Sequence, residues 1–187
     1  MKTLFVNACV RPESRTLKLA KHVLAKLDGD VQEVNLEKEN IQPLNLDTLM
    51  ERDKLLKEKK YDAEMLKYAK QFAAADTVVI AAPFWDLSFP AMLKNYIEAV
   101  TVNGITFTYS EEGFPVSLNN IKKVIYVTTA GGPTTGMDYG CEYITGVCQK
   151  LYGIPEVKCY KAEMLDVIGF DADEILAKVI EEINVTM

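Results

Sequence analysis

The sequence predicts an α/β protein in which helices cover both faces of a five-stranded parallel sheet. Short runs of strand-forming residues alternate along the chain with segments whose apolar residues recur at helical spacing. Two of the runs, TVVIAAP at 77–83 and KVIYVTT at 123–129, are typical of buried strands in such a sheet. Parallel neighbours need crossover connections, and these place helices on both sides. Five strands connected in this way suit the doubly wound order 2-1-3-4-5.

The composition is that of an ordinary globular protein. Of the 187 residues, 49% are apolar and 26% are charged, and no shift in composition divides the chain. We therefore expect residues 1–187 to form a single domain. The net charge of -6 and the pI near 5.0 argue against nucleic acid, which requires clustered Lys and Arg, and favour a small-molecule partner.

The cysteines and the N-terminus bear on the cellular compartment of the protein. The chain has four cysteines without CxxC spacing, at Cys9, Cys141, Cys148 and Cys159. Because His22 is the single histidine, a His/Cys metal site is not expected. We interpret the cysteines as free thiols that fill small core positions in a reducing cytoplasm, and not as redox partners. The N-terminus lacks a signal peptide and no segment approaches the roughly 20 apolar residues of a spanning helix, so neither secretion nor membrane insertion is expected.

The first part of the chain predicts two strands, a helix between them and an irregular excursion. Residues 3–7 form a short apolar run, and the segment 17–27 carries apolar residues at helical spacing. The stretch 31–36 alternates apolar and polar residues, which indicates a strand toward a sheet edge. Residues 37–60 contain Pro43 and many charges, so we expect an excursion with a short helix.

The second part continues the alternation. A helical stripe over 65–73 precedes the central strand, and Pro90 lies near the start of the next helix, where its missing donor costs nothing. Alternating β-branched and aromatic residues over 105–116, with Glu112-Gly113 in a turn position, predict a small hairpin insertion. The remaining elements are a helix around 144–151, a strand over 157–161 and a final helix capped by Asp171.

The loop from Cys9 to Leu17 is suited to a phosphate. In doubly wound sheets ligands bind beyond the carboxyl ends of the strands, at the switch point between the first and third strands. This loop opens the first helix there, and Ser14, Arg15 and Thr16 add donors to the unpaired helix amides. The alternative is that Ser14 or Thr16 merely caps the helix. Neither GxGxxG nor GxxxxGK[ST] is present, which argues against a dinucleotide Rossmann site and a P-loop.

Two further loops reach the same edge. The segment PFWDLSFP at 83–90 carries three aromatic residues, which would suit a flat heteroaromatic ring. We expect Phe89 to fold back into the core and the Phe84-Trp85 pair to face a ligand. The segment TTAGGPTTG at 128–136 has adjacent glycines, which permit close approach of the backbone to a ligand and also permit ordinary turns. FMN needs one phosphate-binding, one aromatic and one close-approach environment.

At these residues the chain resembles the flavodoxin-like NAD(P)H dehydrogenase (quinone) family, particularly FMN-dependent NADH-azoreductases. The resemblance is carried by AADTVVIAAPFWDLSFPAMLKNYIEAV, NGITFTY and KKVIYVTTAGG. It implies a flavodoxin-like three-layer sandwich with FMN as cofactor, NADH or NADPH as co-substrate and a quinone or azo compound as acceptor. It also implies a homodimer with the flavin near the subunit boundary, to which the hairpin and the helix after Pro90 could contribute.

The resemblance also implies which residues bind the cofactor. The residues implied for the FMN phosphate are Ser14, Arg15 and Thr16, with Cys9 and Arg11 as neighbours. Those implied for the isoalloxazine are Pro83, Phe84, Trp85, Asp86 and Leu87, followed by Thr129, Ala130, Gly131 and Gly132. The chain departs from the family at Ala8-Cys9, where serines are frequent, and at Asp86, where Asn is common. A carboxylate facing the flavin would oppose the negative charge that builds up on reduction.

Our hypothesis for the mechanism is a ping-pong cycle in which NAD(P)H and then the acceptor occupy the same apolar slot over the flavin. The cofactor performs the chemistry, so no side-chain nucleophile or acid–base group is required. Tyr126 and Tyr139 are candidate donors to substrate, with packing as the favoured role. One alternative function is a flavodoxin-like FMN electron carrier with little NAD(P)H turnover, which the acidic charge suits but the hairpin and PFWDLSFP do not. Another is a flavin-free regulatory or structural protein.

Overall fold

A computed structural model describes residues 1–134 and 136–187, and Thr135 of the third predicted loop lies outside them. Five parallel strands form the central sheet, and two short antiparallel strands form a separate hairpin. In chain order the strands are β1 (Lys2–Asn7), β2 (Asp30–Asn35), β3 (Thr77–Ala81), β4 (Phe107–Tyr109), β5 (Pro115–Ser117), β6 (Lys123–Thr129) and β7 (Glu156–Ala162). The order within the sheet is β2-β1-β3-β6-β7. The predicted doubly wound order is confirmed, because β4 and β5 form the predicted hairpin.

Helices connect successive strands of the sheet. In chain order they are α1 (Arg15–Leu24), α2 (Leu36–Glu39), α3 (Leu46–Lys57), α4 (Lys67–Ala73), α5 (Ala91–Val100), α6 (Tyr139–Gly146) and α7 (Ala172–Thr186). A 3₁₀ turn at Glu64–Leu66 leads into α4, and a π-helical turn at Val147–Leu151 continues α6. The predicted helix around 144–151 therefore exists, but its second half has π geometry.

The sheet separates two hydrophobic cores. Side chains of consecutive strand residues point to opposite faces, so Leu4 and Phe5 of β1 belong to different cores. On one face Phe5 shares its core with Leu19 of α1 and with residues of α7. On the other face Leu4 shares its core with Leu93 of α5 and with residues of α4 and α6. The result is the predicted three-layer arrangement.

Burial along the strands follows their positions in the sheet. All five residues of β3 are buried, as predicted for the central strand. The first four residues of β2 are exposed, which confirms its position at an edge. Residues 37–60 hold more helix than the single short helix we predicted, because they contain most of α2 and all of α3. Helix α3 buries none of its residues, which explains why its sequence lacks a regular apolar stripe.

One prediction about the cysteines is wrong. Cys141 in α6 and Cys159 in β7 form a disulfide, with their Cα atoms 6.4 Å apart and a sequence separation of 18. Their spacing did not reveal the pair, because it is the return of the chain from α6 to the edge strand β7 that brings them together. Closing a loop of this length typically stabilises a fold by about 3 kcal/mol. Cys9 and Cys148 are free and buried, as predicted.

No helix among the described residues is both long enough and apolar enough to cross a bilayer.

The start of α7 provides a test of the fold. The Asp171 carboxylate accepts hydrogen bonds from the amides of Asp173 and Glu174, at 2.9 and 3.1 Å, as the sequence predicted for a capping residue. We expect Asp171→Ala to lower the free energy of unfolding by about 1 kcal/mol, because two amides lose their acceptor. Urea denaturation measures the change. Asp171→Asn is the control, since its side-chain oxygen still caps the helix, and equal losses in both variants would contradict the capping role.

Candidate functional site

A cleft opens at the carboxyl ends of β1, β3 and β6, where the three predicted loops meet. Its volume is about 260 Å³. The residues that line it are Val10, Arg11, Glu13, Ser14, Arg15, Thr16, Pro83, Phe84, Trp85, Thr129, Ala130, Gly131 and Asp166. We call it the switch-point cleft, because it lies where the connections from the sheet change sides.

One end of the switch-point cleft is formed by the start of α1. Ser14 is the capping residue, and its hydroxyl oxygen accepts a hydrogen bond from the Leu17 amide at 3.2 Å. The capping alternative therefore holds for Ser14, although its hydroxyl hydrogen is still free to be donated. The amides of Arg15 and Thr16 lie in the first turn of α1, so no earlier helix carbonyl is available to accept their hydrogen bonds. These donors and the helix dipole suit an anion.

The hydroxyl of Thr16 has a partner inside the protein. Its oxygen lies 2.6 Å from the hydroxyl oxygen of Thr129, which ends β6. Thr16 itself is buried. Its side chain thus fastens the first loop to the third, and its contribution to an anion site is mainly its amide.

Arg15 crosses from α1 to the loop after β7. One guanidinium nitrogen donates to the carbonyl of Leu165 at 3.0 Å and the other to the Asp166 carboxylate at 2.7 Å. A guanidinium has five donors, so these two contacts leave others for an anion. The second Asp166 oxygen lies against Gly131, where a Cβ atom would be only 2.4 Å from it. Glycine at this position allows the two loops to pack together.

The opposite end of the cleft is an aromatic turn, which we define as residues 84–89. Trp85 and Ser88 exchange two backbone hydrogen bonds, at 3.0 and 2.8 Å. The two residues between them, Asp86 and Leu87, have φ values of 51° and 66°. This is the geometry of a type I′ turn, in which Asn-Gly is preferred and a branched side chain is strained. The turn leaves Trp85 40% exposed.

The two phenylalanines of the aromatic turn behave as the sequence predicted. Phe89 packs against the core, and its ring meets that of Tyr143 edge-on at 5.5 Å. Phe84 is half-buried and lines the switch-point cleft beside Trp85. The aromatic surface available to a ligand is therefore that of the Phe84-Trp85 pair.

Most of the residues predicted for the site lie together. Those that line the switch-point cleft are Arg11, Ser14, Arg15, Thr16, Pro83, Phe84, Trp85, Thr129, Ala130 and Gly131. Four others do not line it. Asp86 and Leu87 are exposed on the aromatic turn, and Gly132 follows the lining residue Gly131. Cys9 is buried, its thiol contacts the Ala81 carbonyl at 3.7 Å, and burial raises the pKa of that thiol.

Three lining residues were not predicted, namely Val10, Glu13 and Asp166. Val10 and Glu13 belong to the first loop, from which the sequence analysis had named candidate phosphate donors and two of their neighbours. Asp166 comes from the loop after β7, which was not considered. The loop after β7 could have been included from the predicted topology, because β7 ends at the same edge of the sheet as the other parallel strands.

The third loop is anchored to the end of β7. The Glu163 carboxylate accepts hydrogen bonds from the amide of Thr134 at 2.9 Å and from its hydroxyl at 2.6 Å. The Thr134 hydroxyl contact lowers the pKa of Glu163. Lys161 donates to the Asp138 carboxylate at 3.2 Å. These contacts hold the residues on both sides of Thr135 against β7.

Tyr126 packs beneath the site and does not reach it. The side chain is fully buried, and burial raises the pKa of its phenol. Its hydroxyl lies against Gly140, where a Cβ atom would be 2.9 Å from the phenol oxygen. Packing is thus the role of Tyr126, as favoured from the sequence, whereas Tyr139 is exposed. Among the described residues, no group of three or more His, Cys, Asp or Glu side chains is arranged to hold a metal ion.

Comparison with known proteins identifies the family. A family model described as "Flavodoxin-like fold" matches residues 1–186. The chain belongs to this flavodoxin-like family. The chain is 37% identical to the FMN-dependent NADH:quinone oxidoreductase of Coprothermobacter proteolyticus, over 97% of this chain and 95% of the relative. It is 38% identical to FMN-dependent NADH:quinone oxidoreductase 2 of Clostridium acetobutylicum, with the same coverage of each chain.

Solved structures of flavodoxin-like proteins agree with this placement. An azoreductase from Bacillus anthracis is 30% identical and superposes with a TM-score of 0.85, covering 98% of this chain and 96% of that one. A second B. anthracis structure, an FMN-dependent NADH-azoreductase in complex with FMN, has a TM-score of 0.79 at 24% identity, with the same coverage of each chain. The latter supports the fold alone. The resemblance stated from the sequence is confirmed.

The strained turn of this flavodoxin-like chain gives a testable prediction. A left-handed conformation costs a residue with a Cβ atom about 1 kcal/mol or more, and Leu87 is 44% exposed, so its side chain contributes little burial. We expect Leu87→Gly to raise the free energy of unfolding by about 1 kcal/mol in urea denaturation. Leu87→Ala is the control, because it shortens the side chain but keeps the Cβ atom. A gain of the same size in both variants would show that strain is not the cause.

Proposed function

We propose that the protein is an FMN-dependent NADH:quinone oxidoreductase that also reduces azo compounds. The relatives named as FMN-dependent NADH:quinone oxidoreductases align with nearly the whole chain. The solved azoreductase at 30% identity supports the second acceptor class. The single observation in the structure that carries the proposal is that a phosphate-suited helix start and an aromatic turn face the same cleft.

The helix end of the switch-point cleft fits the phosphate of FMN. The amides of Arg15 and Thr16, the Ser14 hydroxyl and the guanidinium groups of Arg15 and Arg11 form a donor set with positive charge. Charged donors of this kind make the strongest hydrogen bonds to phosphate oxygens. Glu13 and Asp166 lie at the same end and reduce the net positive charge. We assign phosphate binding to Arg11, Ser14, Arg15 and Thr16.

The other end of the cleft fits the isoalloxazine ring. Pro83, Phe84 and Trp85 present flat apolar surface, and an aromatic contact adds roughly 0.5 to 1.5 kcal/mol beyond area burial. Thr129, Ala130 and Gly131 line the cleft from the third loop. Gly132 lies next to them at the rim.

The chemistry is supplied by FMN, which when bound accepts a hydride from NADH and passes reducing equivalents to the acceptor. The residues of the cleft bind the ring, orient it and exclude water from its buried side. We propose a ping-pong order, in which NADH leaves before the acceptor enters the same apolar slot beside Trp85. No side chain is assigned as a nucleophile or as an acid–base catalyst.

A second copy of the chain completes the site in this proposal. The cleft of about 260 Å³ lies near the lower end of the roughly 300–1,000 Å³ usual for small-molecule sites, and a partner chain would add surface around the ring. Large apolar side chains near it are exposed, including Trp85, Leu87 and Tyr139. Contiguous exposed apolar surface commonly marks an interface. We therefore propose a homodimer with the ring near the subunit boundary, working in the cytoplasm where NADH is available.

Anaerobic stopped-flow reduction of the purified protein tests the function. We expect a yellow protein with an FMN spectrum that NADH bleaches rapidly and that a quinone or an azo dye restores. NADPH is used in parallel to define the preference for the reductant. An electron carrier would be barely reduced by either nucleotide, and a colourless protein unable to take up FMN would contradict the proposal.

Arg15 provides a prediction that concerns the phosphate alone. We expect Arg15→Gln to weaken FMN binding by about tenfold, because a charged hydrogen bond contributes about 1.5 kcal/mol or more and Asp166 loses its partner. Riboflavin, which lacks the phosphate, should bind the variant as it binds the parent protein. Quenching of flavin fluorescence measures both affinities. Lys18→Gln, an exposed change on the same helix, is the matched control, and an equal loss for FMN and riboflavin would contradict phosphate binding.

Asp86 provides a prediction about the flavin potential. The carboxylate is exposed and does not line the cleft, so solvent and salt screen its effect on the ring. We expect Asp86→Asn to change the midpoint potential of the bound flavin by about 20 mV or less. Potentiometric titration of the two proteins measures this. A rise several times larger would mean that the carboxylate faces the ring in the assembled enzyme.

A further inference from the structure

The disulfide joins two elements that flank the third loop. Cys141 lies in the first turn of α6 and Cys159 in β7, and both are only partly buried. They are the less buried pair, and one of them lies on the edge strand β7, whereas Cys9 and Cys148 are buried. In a reducing compartment, a disulfide of this kind is more often transient than structural.

The first turn of α6 is in direct contact with the aromatic turn. The Tyr139 amide, the first of the helix, donates a hydrogen bond to the Leu87 carbonyl at 3.1 Å. The next residue, Gly140, lies beside the backbone of Ser88, where a Cβ atom would be in ordinary van der Waals contact with the Ser88 carbonyl carbon at 3.6 Å. The disulfide begins one residue later, at Cys141. Displacement of this turn of helix would be transmitted to residues 85–88.

The aromatic turn is suited to respond to such a displacement. Its two central residues both have positive φ values without being glycine, so the turn is held in a strained conformation by its surroundings. The Leu87 carbonyl accepts a hydrogen bond from the Tyr139 amide of α6, and α6 is the helix that the disulfide restrains. Loss of this restraint would favour relaxation of the turn that carries Trp85.

From these contacts we propose that Cys141 and Cys159 form a reversible thiol–disulfide site that takes a dithiol reductant and controls the rigidity of the aromatic turn. In the reductive direction, a thiolate of the dithiol attacks one sulfur, and the other sulfur leaves and takes up a proton. The second thiol of the reductant then displaces the remaining cysteine. Two electrons and two protons pass to the protein, and the dithiol becomes a cyclic disulfide; the reverse reaction closes the bond.

The ionic contacts around the site do not replace the covalent restraint. Asp138 caps α6 by accepting from the Cys141 amide at 3.0 Å, and Lys161 of β7 donates to the same carboxylate at 3.2 Å. The Lys161 and Asp138 side chains are 33% and 14% exposed, and apolar side chains of α6 also belong to the core on this face of the sheet. Reduction therefore leaves α6 in place, and what is lost is the covalent restraint on its first turn.

Thiol counting tests the first half of the proposal. The full-length protein as purified is equilibrated with mixtures of dithiothreitol and its oxidised form, then unfolded in denaturant with the alkylating reagent present, so that buried thiols also react, and analysed by mass spectrometry. We expect two alkylated cysteines at the oxidised end, Cys9 and Cys148, and four at the reduced end. Four alkylated cysteines under every oxidising mixture, or two under every reducing one, would overturn the reversible site.

Hydrogen exchange tests the second half. We expect the amides of residues 84–89 to exchange several-fold faster in the reduced protein than in the oxidised protein, and Cys141→Ser to be fast under both conditions. Cys148→Ala, which removes a free cysteine, is the control and should respond as the parent does. Exchange that is equal in the oxidised and reduced parent would overturn the coupling. Because neither assay uses NADH or an acceptor, their outcome is independent of the proposed enzymatic function.

A matched pair of variants at Tyr139 tests whether the hydrogen bond from its amide to the Leu87 carbonyl couples the disulfide to the aromatic turn. Proline is tolerated as the first residue of a helix, and Asp138 before it has a ψ of 72°, outside the helical region that a following proline disfavours, so Tyr139→Pro should remove the amide that donates to Leu87 without breaking α6. We expect Tyr139→Pro to exchange fast at residues 84–89 in both redox states while its thiol count still changes. Tyr139→Ala keeps the amide and should behave like the parent, and identical behaviour of the two variants would overturn this route.

Discussion

The parallel register of β1, β3 and β6 is the constraint on which the rest of the structure depends. Backbone hydrogen bonds continue beyond the strand ends, from the Ala8 amide to the Ala81 carbonyl, from Ala82 to Val127 and from Phe84 to Thr129. Because all three strands stop at one level, their loops meet at one edge. The start of α1 precedes the start of the aromatic turn by about 70 residues, and that turn precedes the start of the third loop by about 45. The register of the strands is what brings these three segments together.

That constraint brings opposite chemical environments into one cleft. The α1 end has amides without partners and two guanidinium groups, whereas the other end has the Phe84-Trp85 pair. A ligand that matches both ends must carry an anion and a flat ring. Some of the polar groups around the cleft already have partners in the protein, since Thr16 pairs with Thr129 and Arg15 with Asp166, but the amides at the start of α1 do not. The strain at Asp86 and Leu87 is of the kind often found where a backbone is shaped for a ligand.

Much of the fold and of the site could be predicted from the sequence, because both follow from local patterns. The apolar run of β3 and the alternation in β2 gave their central and edge positions, and the loops after β1, β3 and β6 gave most lining residues. The features that were missed are long-range or unpatterned. The Cys141–Cys159 bond and the Asp166 contact with Arg15 depend on how distant segments meet. Helix α3 has no fully buried residue and packs Leu55 and Leu56 only partly against a small core, so its apolar period is weak.

The central claim is that the ring of FMN lies against Trp85 while its phosphate lies at the start of α1. Trp85 is the one tryptophan in the chain, so its emission reports on the aromatic turn alone. The most direct measurement is a titration of flavin-depleted protein with FMN, in which tryptophan emission and flavin emission are followed together. The claim predicts that both are quenched in parallel and saturate at one FMN per chain. Saturable flavin binding that leaves the Trp85 emission unchanged would contradict it.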